Sequence, residues 1–342
     1  MAKFYFSFDG NQANNGGNKA REDAAFIFHK NGYQAITTKF ISEKVSVLRY
    51  LMFIPFGIFS VLNLKPQSEV IMNFHQFPFR ERLVFYMLRK LKKRKQLKLV
   101  ALIHDLPELQ YNRSFDNKCY KIDNLRSFDL IIAHNPSMKK WLVEQNFSEQ
   151  NIVSLQIFDY LTDAEPQGGR YGKEIIIAGN LRQDKTKYLS SLDKINDVKF
   201  NLYGPNLDMD LSNINNIEYI GNFSPAEVIT KISGSYGLVW DSESLEGGQG
   251  YMGAYQRYNN PHKVSLYLAA GFPVIVWKEA ALAPFVLENN IGVVVENLTE
   301  ISVCLENLSE AQYTEMKQNV SEIGKKLRNG FYLSEAIKQL EK

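Results

Sequence analysis

The stretch that begins at Gly237, GLVWDSESLEGGQGYMGAYQRYNNPHKVSLYLAAGFPVIVW, concentrates residue types that can handle an anionic ligand. An apolar strand runs into Asp241, a Gly- and Tyr-rich loop of about 17 residues follows, and Asn260-Pro261-His262-Lys263 then opens a helix. Asn260 suits the N-cap and Pro261 the first helical position. His262 and Lys263 fall in the first turn, where a cation opposes the helix dipole. Unsatisfied backbone N–H groups beside a lysine are suited to a diphosphate. The plainer reading of Lys263 is an ordinary surface side chain.

Further candidates lie at the ends of other apolar runs. His104-Asp105 closes LKLVALI, and a carboxylate at the carboxyl end of a strand can serve as a general base. Asp105 is the first candidate and His104 its competitor; the alternative is an Asp that caps the loop after it. Asp9 ends the first strand and is a second candidate base. Gly16 and Gly17 in the loop beyond it allow close backbone approach to a ligand. His75 and Gln76 follow EVIMN and could hydrogen-bond a polar ligand, or His75 could be a structural histidine. Gly179-Asn180 ends EIIIA, where backbone approaches a ligand or simply turns. Arg182 and Lys185 follow within one or two helical turns, as a binding pair or a solvated face. Tyr251, Tyr255 and Tyr258 suit either contact with a ligand face or packing. Asp208-Met209-Asp210 matches a three-residue metal-binding pattern, but it lies in a loop among asparagines and is read as carrying no metal.

These residues need strands and helices to position them, and the chain supplies both in alternation. Apolar strands are expected at Lys3–Phe8, Glu69–Asn73, Leu97–Ile103, Asp129–Ala133 and Ile152–Leu155, with helices near Asn18–Asn31, Arg80–Lys95 and Pro136–Gln145. The polar stretch Asp159–Gly172 reads as a linker. The pattern then restarts with strands at Glu174–Ala178, Lys199–Tyr203, Ile217–Ile220, Gly237–Trp240, Pro273–Trp277 and Gly292–Val295. Continuous apolar strands between helices indicate parallel sheets covered on both faces. The expected architecture is α/β, with two Rossmann-like, doubly wound domains facing across a cleft. Residues 1–160 form the first and 173–330 the second, and a last helix within 331–342 packs back on the first. Ligands bind beyond the carboxyl ends of such strands, so the cleft is the expected site.

Length and charge agree with two units. The 342 residues exceed an ordinary single domain. Residues 1–160 hold 23 Lys and Arg against 14 Asp and Glu, net +9, whereas the remainder holds 17 against 23, net −6. Cys119 and Cys304 lie far apart without metal spacing, which suits a reducing cytoplasmic setting. Leu51–Leu64 is apolar but too short to span a bilayer, and Pro55 and Gly57 interrupt it. The run RKLKKRKQLK over Arg89–Lys98 is partly explained by cations favouring a helix C-terminus. It also suits peripheral contact with an anionic membrane. No nucleic-acid-binding motif accompanies it.

The segment GLVWDS…YNNPHKVSLYLAAGFPVIVW, with VALIHDLPEL, DLIIAHNPSMKKWL and IIIAGNL, resembles a bacterial GT-B glycosyltransferase family. That family contains β-1,6-galactofuranosyltransferases and the glucosyltransferases that extend O-glycans on serine-rich adhesins. The resemblance implies a UDP-sugar donor without a metal cofactor, and a saccharide acceptor. It implies Lys263 on the donor diphosphate, Gly179-Asn180 close to the donor with Arg182 or Lys185 adding charge, and Tyr203 near the uracil. It also suggests a homo-oligomer. Asp241, Asn260 and His262 fall in the same donor region; Gly16, Gly17, His75 and Gln76 fall on the acceptor side. Galactofuranose is the expected sugar; glucose transfer onto a protein-linked glycan and a non-catalytic sugar-binding subunit are the alternatives.

Overall fold

The computed structural model describes residues 1–7, 16–37, 58–74, 79–111 and 122–341. The first sheet contains β1 (Lys3–Ser7), β2 (Gln34–Thr37), β3 (Glu69–Phe74), β4 (Lys98–Ile103), β5 (Leu130–Ala133) and β6 (Ile152–Ser154). Its strands are all parallel, in the order β2-β1-β3-β4-β5-β6. Helices α1 (Gly16–Lys30), α2 (Phe79–Lys95), α3 (Pro107–Tyr111) and α4 (Pro136–Glu144) accompany it. The second sheet contains β7 (Glu174–Ala178), β8 (Lys199–Tyr203), β9 (Ile217–Gly221), β10 (Tyr236–Val239), β11 (Val274–Trp277) and β12 (Gly292–Val295). Its order is β12-β11-β10-β7-β8-β9, again parallel throughout. Around it lie α5 (Gln183–Thr186), α6 (Pro225–Lys231), α7 (Gly250–Tyr255), α8 (His262–Ala269), α9 (Ala283–Glu288), α10 (Ile301–Glu306), α11 (Glu310–Arg328) and α12 (Phe331–Gln339).

The strand sequences explain this layering. In β4, Leu99, Ala101 and Ile103 enter one buried group while Val100 and Leu102 enter another, so both faces are covered. A fully apolar strand is the form that such burial requires. One apolar group covers the outer face of each sheet. The third runs from Phe28 and Ile71 of the first half through Val264, Leu268 and Val320 of the second. That shared core places α1 and α8 between the sheets.

Helix ends are fixed locally. Asn135 caps α4, its side chain accepting from the Met138 N–H at 2.9 Å. Ser224 and Glu227 form a capping box on α6, and Ser309 and Gln312 another on α11. Helix α2 stops at Gln96, whose left-handed φ of 52° lets the Leu97 N–H donate to the Lys92 carbonyl at 2.9 Å.

The chain between the sheets is tied to both. The Leu161 N–H donates to Asp23 at 3.0 Å, and the Lys19 ammonium donates to the Leu161 carbonyl at 2.7 Å. The buried Asp159 carboxylate accepts the Tyr332 and Leu333 N–H groups at 3.1 and 2.8 Å, which anchors the start of α12. Burial pushes this carboxyl up to about 7, against the pull of those two donors. Helix α12 lies on the first half, where Asn31 Nδ2 donates to Ser334 Oγ at 2.9 Å and Lys3 pairs with Glu341.

Two elements differ from expectation. The four-residue edge strand β2 is absent from the apolar pattern because QAIT has only two apolar positions. The Gly- and Tyr-rich loop contains a helix, α7. Of Leu51–Leu64, residues 58–62 form helix and Val61 and Leu64 are buried; residues 51–57 lie outside the described residues. Among the described residues no helix is long and apolar enough to cross a membrane.

Candidate active site

A doubly wound sheet opens a crevice where neighbouring strands send their connections in opposite directions. In the second sheet that point lies between β7 and β10, which are adjacent although not consecutive. Gly179-Asn180 leaves β7 there, and Trp240-Asp241 leaves β10. In the first sheet the corresponding point lies between β1 and β3. Asp9, His75 and Gln76 follow those two strands and lie outside the described residues.

The crevices join in a cleft of about 330 Å³. One wall carries Gly17 and Arg21 of α1, His104 and Asp105 after β4, His134 after β5, and Phe158. The other carries Asn180, Lys185, Asp241, and Asn259 to Lys263 at the start of α8. Most of these residues follow the carboxyl end of a strand or open a helix. Sequence positions more than 150 apart, such as Asp105 and Lys263, are thereby brought to one cavity.

Lys263 projects from the first turn of α8 and donates to Asp241 Oδ1 at 2.8 Å; both side chains are largely buried. A carboxylate partner accounts for a cation at an unfavourable helix position. The Lys185 ammonium, by contrast, has no hydrogen-bond partner among the described residues. His262 is not a second cation. Burial lowers it to about 4, so the ring is neutral and its Nε2 donates to the Asp159 carbonyl at 3.2 Å. Its ring stacks on Tyr160 with centroids 5.1 Å apart.

Asn260 does not cap α8. Pro261 occupies the cap position, and the helix starts at His262. Asn260 instead crosses the cleft floor. Its Nδ2 donates to the carbonyls of His134 and Gln156 at 2.6 and 2.9 Å, and its Oδ1 accepts from Asn135 at 2.7 Å. Its N–H donates to His134 Nδ1 at 3.0 Å. That bond puts the His134 proton on Nε2, which donates to the Ile103 carbonyl at 3.1 Å. His134 is lowered to about 3 by burial and works as a neutral strut. Asn260 therefore fixes the start of α8 against β5 of the other half.

Asp105 has a different character. Burial raises its carboxyl to about 6, opposed by the charges of Lys185 and Arg21. It is ionised at neutral pH, yet basic enough to take a proton. His104 beside it stacks on Phe158 at 5.3 Å, and its Nε2 lies 3.0 Å from Asn73 Oδ1.

Other expectations are corrected. Tyr203 does not face the cleft. Its ring is buried between the sheets, and its hydroxyl accepts the Ser233 N–H at 3.1 Å. Arg182 is exposed and forms a two-pronged pair with Asp184 at 2.6 Å, so Lys185 is the cation of that segment that reaches the cleft. Gly16 opens α1, and its neighbour Gly17 lines the cavity. Gly179 has φ of 138° and open space where a Cβ would stand, so its backbone remains accessible. The Gly204 turn packs on it so closely that a Cβ there would lie 1.8 Å from the Gly179 carbonyl oxygen. Tyr255 lines the cleft and accepts the Leu106 N–H at 3.1 Å, and Tyr251 donates to Asp184 at 3.1 Å. Asp208 accepts the Gln183 N–H at 2.9 Å and Asp210 the Ser212 N–H at 3.0 Å, which are structural roles.

Sequence reasoning missed Arg21, Asn259 and His134. The last had a signal: AHNP follows an apolar strand just as IHDLP does.

A family model described as glucosyltransferase 3-like, N-terminal domain, matches residues 3–157, and its C-terminal counterpart matches residues 175–340. The chain is 32% identical over 332 residues to the β-1,6-galactofuranosyltransferase WbbI of Escherichia coli K12, covering 95% of this chain and 94% of that one. It is 26% identical over 243 residues to glucosyltransferase 3 of Streptococcus gordonii, covering 71% and 70%. Among solved structures, Anabaena HepE in complex with UDP and glucose superposes with a TM-score of 0.60 at 11% identity, over 99% of each chain. The apo lipopolysaccharide outer core galactosyltransferase WaaB gives 0.60 at 11%, over 100% of this chain and 99% of that one.

Proposed function

The chain belongs to the glucosyltransferase 3-like family and is a glycosyltransferase of GT-B fold; we propose that it is an inverting, metal-independent enzyme that transfers galactofuranose from its UDP-linked donor to a saccharide acceptor. The observation that carries this reading is the placing of two groups in one cleft: a buried lysine at a helix start in the second half, and a carboxyl raised to about 6 in the first.

The chemistry follows from that placing. The diphosphate sits at the start of α8, where Lys263 and the free N–H groups stabilise the charge that develops as the anomeric C–O bond breaks. Lys263 turns from Asp241 towards the phosphate oxygens, and Lys185 adds the second cation. The Asp105 carboxylate removes the proton of the acceptor hydroxyl while its oxygen attacks the anomeric carbon from the face opposite the leaving group. One C–O bond forms, one breaks, and UDP leaves with the electron pair. The 32% identity to WbbI supports galactofuranose as the sugar.

Asp105 also sets a pH dependence. A general base acts in its deprotonated form, so kcat/KM is expected to be level above about 6 and to fall as the pH drops through about 6. A pH–rate profile with wild-type enzyme checks this. An acid limb near the ordinary carboxylate range would remove Asp105 from the role.

The donor is tested by UDP release in the presence of EDTA, comparing UDP-galactofuranose, UDP-galactopyranose and UDP-glucose with a panel of glycoside acceptors. Turnover with UDP-galactofuranose alone is expected. Turnover with UDP-glucose alone would replace the sugar, and a strict need for added divalent metal would contradict the charge assignment.

A further inference from the structure

The basic run at the end of α2 is divided by the fold into two sets of cations. Lys92 and Lys95 are used internally. Lys92 pairs with Asp129 at 2.6 Å and donates to the Ser127 carbonyl at 2.8 Å. Lys95 donates to the carbonyls of Leu62 and Leu64, the latter at 2.6 Å, which pins the helical turn through 58–62 against the end of α2. Arg89, Lys90, Lys93 and Arg94 are exposed instead. Between Arg82 and Lys98 the sequence has no Asp or Glu to neutralise them.

Large apolar side chains are exposed on the same two elements. Phe59 is 64% exposed, Leu62 47% and Tyr86 53%. Phe59 and Leu62 are three residues apart and share one face of their turn. Tyr86, Lys90 and Lys93 follow the three- and four-residue spacing of one helical stripe, and the Lys90 ammonium lies over the Tyr86 ring, 5.4 Å from its centroid. The buried faces of these elements, through Val61, Leu64, Val84, Leu88 and Leu91, are already satisfied by the core. Helix-dipole stabilisation accounts for the cations of the last turn but not for exposed aromatic and aliphatic side chains beside them.

We propose that this face is a docking surface for an anionic lipid bilayer, with Phe59, Leu62 and Tyr86 entering the interfacial region and Arg89, Lys90, Lys93 and Arg94 meeting the headgroups. The pairing of apolar side chains with unneutralised cations favours a bilayer over a nucleic acid, which would match the charge and leave the apolar groups wet. It also gives the basic first half, with its net charge of +9 over residues 1–160, a partner of opposite sign.

The test is flotation of the full chain with phosphatidylcholine vesicles, with and without phosphatidylglycerol. The wild type is expected to float only with the phosphatidylglycerol vesicles, and less as salt rises. The combined variant R89Q/K90Q/K93Q/R94Q should lose at least about tenfold in vesicle partitioning, since each cation near such a surface is worth about fivefold. F59S/L62S, which keeps the charge, should also lose retention on the vesicles. All six positions are exposed, so melting curves of both variants should match the wild type, and transfer to a soluble acceptor should be unchanged. A wild type that stays in solution with phosphatidylglycerol, or variants that float like the wild type, would overturn the proposal. So would equally tight binding of a short DNA duplex that the charge variant abolishes and F59S/L62S leaves intact.

Discussion

Lys263→Ala is expected to weaken UDP binding by roughly 10- to 100-fold and to lower turnover with it, the range set by removing a hydrogen bond to a charged group. Two effects act in the same direction. The phosphate oxygens lose their lysine at the start of α8. Asp241, which accepts that lysine at 2.8 Å, is left as an unpaired carboxylate facing the arriving anion. The variant Lys263→Ala/Asp241→Asn separates the two. It should recover part of the UDP affinity, because the repulsion is removed, while transfer stays low, because nothing replaces the cation at the leaving group. Titration with UDP measures the first quantity and a UDP-release assay the second. An unchanged UDP affinity in Lys263→Ala would dissociate this helix start from the donor.

Asp105→Asn is expected to have the largest effect on transfer, a loss of about 10²- to 10⁴-fold, the scale of a missing general base. The amide keeps the shape of the carboxyl and cannot take a proton. It also removes a negative charge close to Lys185 and Arg21, so UDP affinity should be retained or slightly improved. The acid limb near 6 should vanish from whatever activity is left. Transfer at nearly the wild-type rate would shift the base to His104 or to Asp9.

Much of this arrangement could be read from the residues, and the exceptions have physical causes. Strands such as KLVALI and VIVW are continuous apolar runs, and a strand covered on both faces has no other composition. Glycine, histidine and carboxylate residues just after those runs were legible as cleft residues because parallel strands deliver their carboxyl ends to one edge. Asn260 was misread because Asn before Pro at a helix start is a local cap signal. Its actual partners, His134 and Gln156, lie more than 100 positions away and come close only once α8 meets β5. The place near the uracil that the resemblance implies for Tyr203 is not where the ring packs. In KFNLY, Phe200 and Leu202 take the outer face of the sheet and Tyr203 the inner, where the shared core closes over it. Arg21 is one cation on an ordinary amphipathic helix, and only the packing of α1 against α8 aims it at the cleft. The pairing of Arg182 with Asp184 is a choice between neighbouring acids and phosphate that composition does not decide.

The proposed mechanism divides the work of the cleft, with the diphosphate held from the second half and the acceptor proton taken from the first. Calorimetric titration of UDP into wild type, Lys263→Ala and Asp105→Asn, side by side, tests that division most directly. Affinity at least about tenfold weaker in Lys263→Ala and undiminished in Asp105→Asn is expected. Equal affinity in all three proteins, or a loss confined to Asp105→Asn, would contradict it.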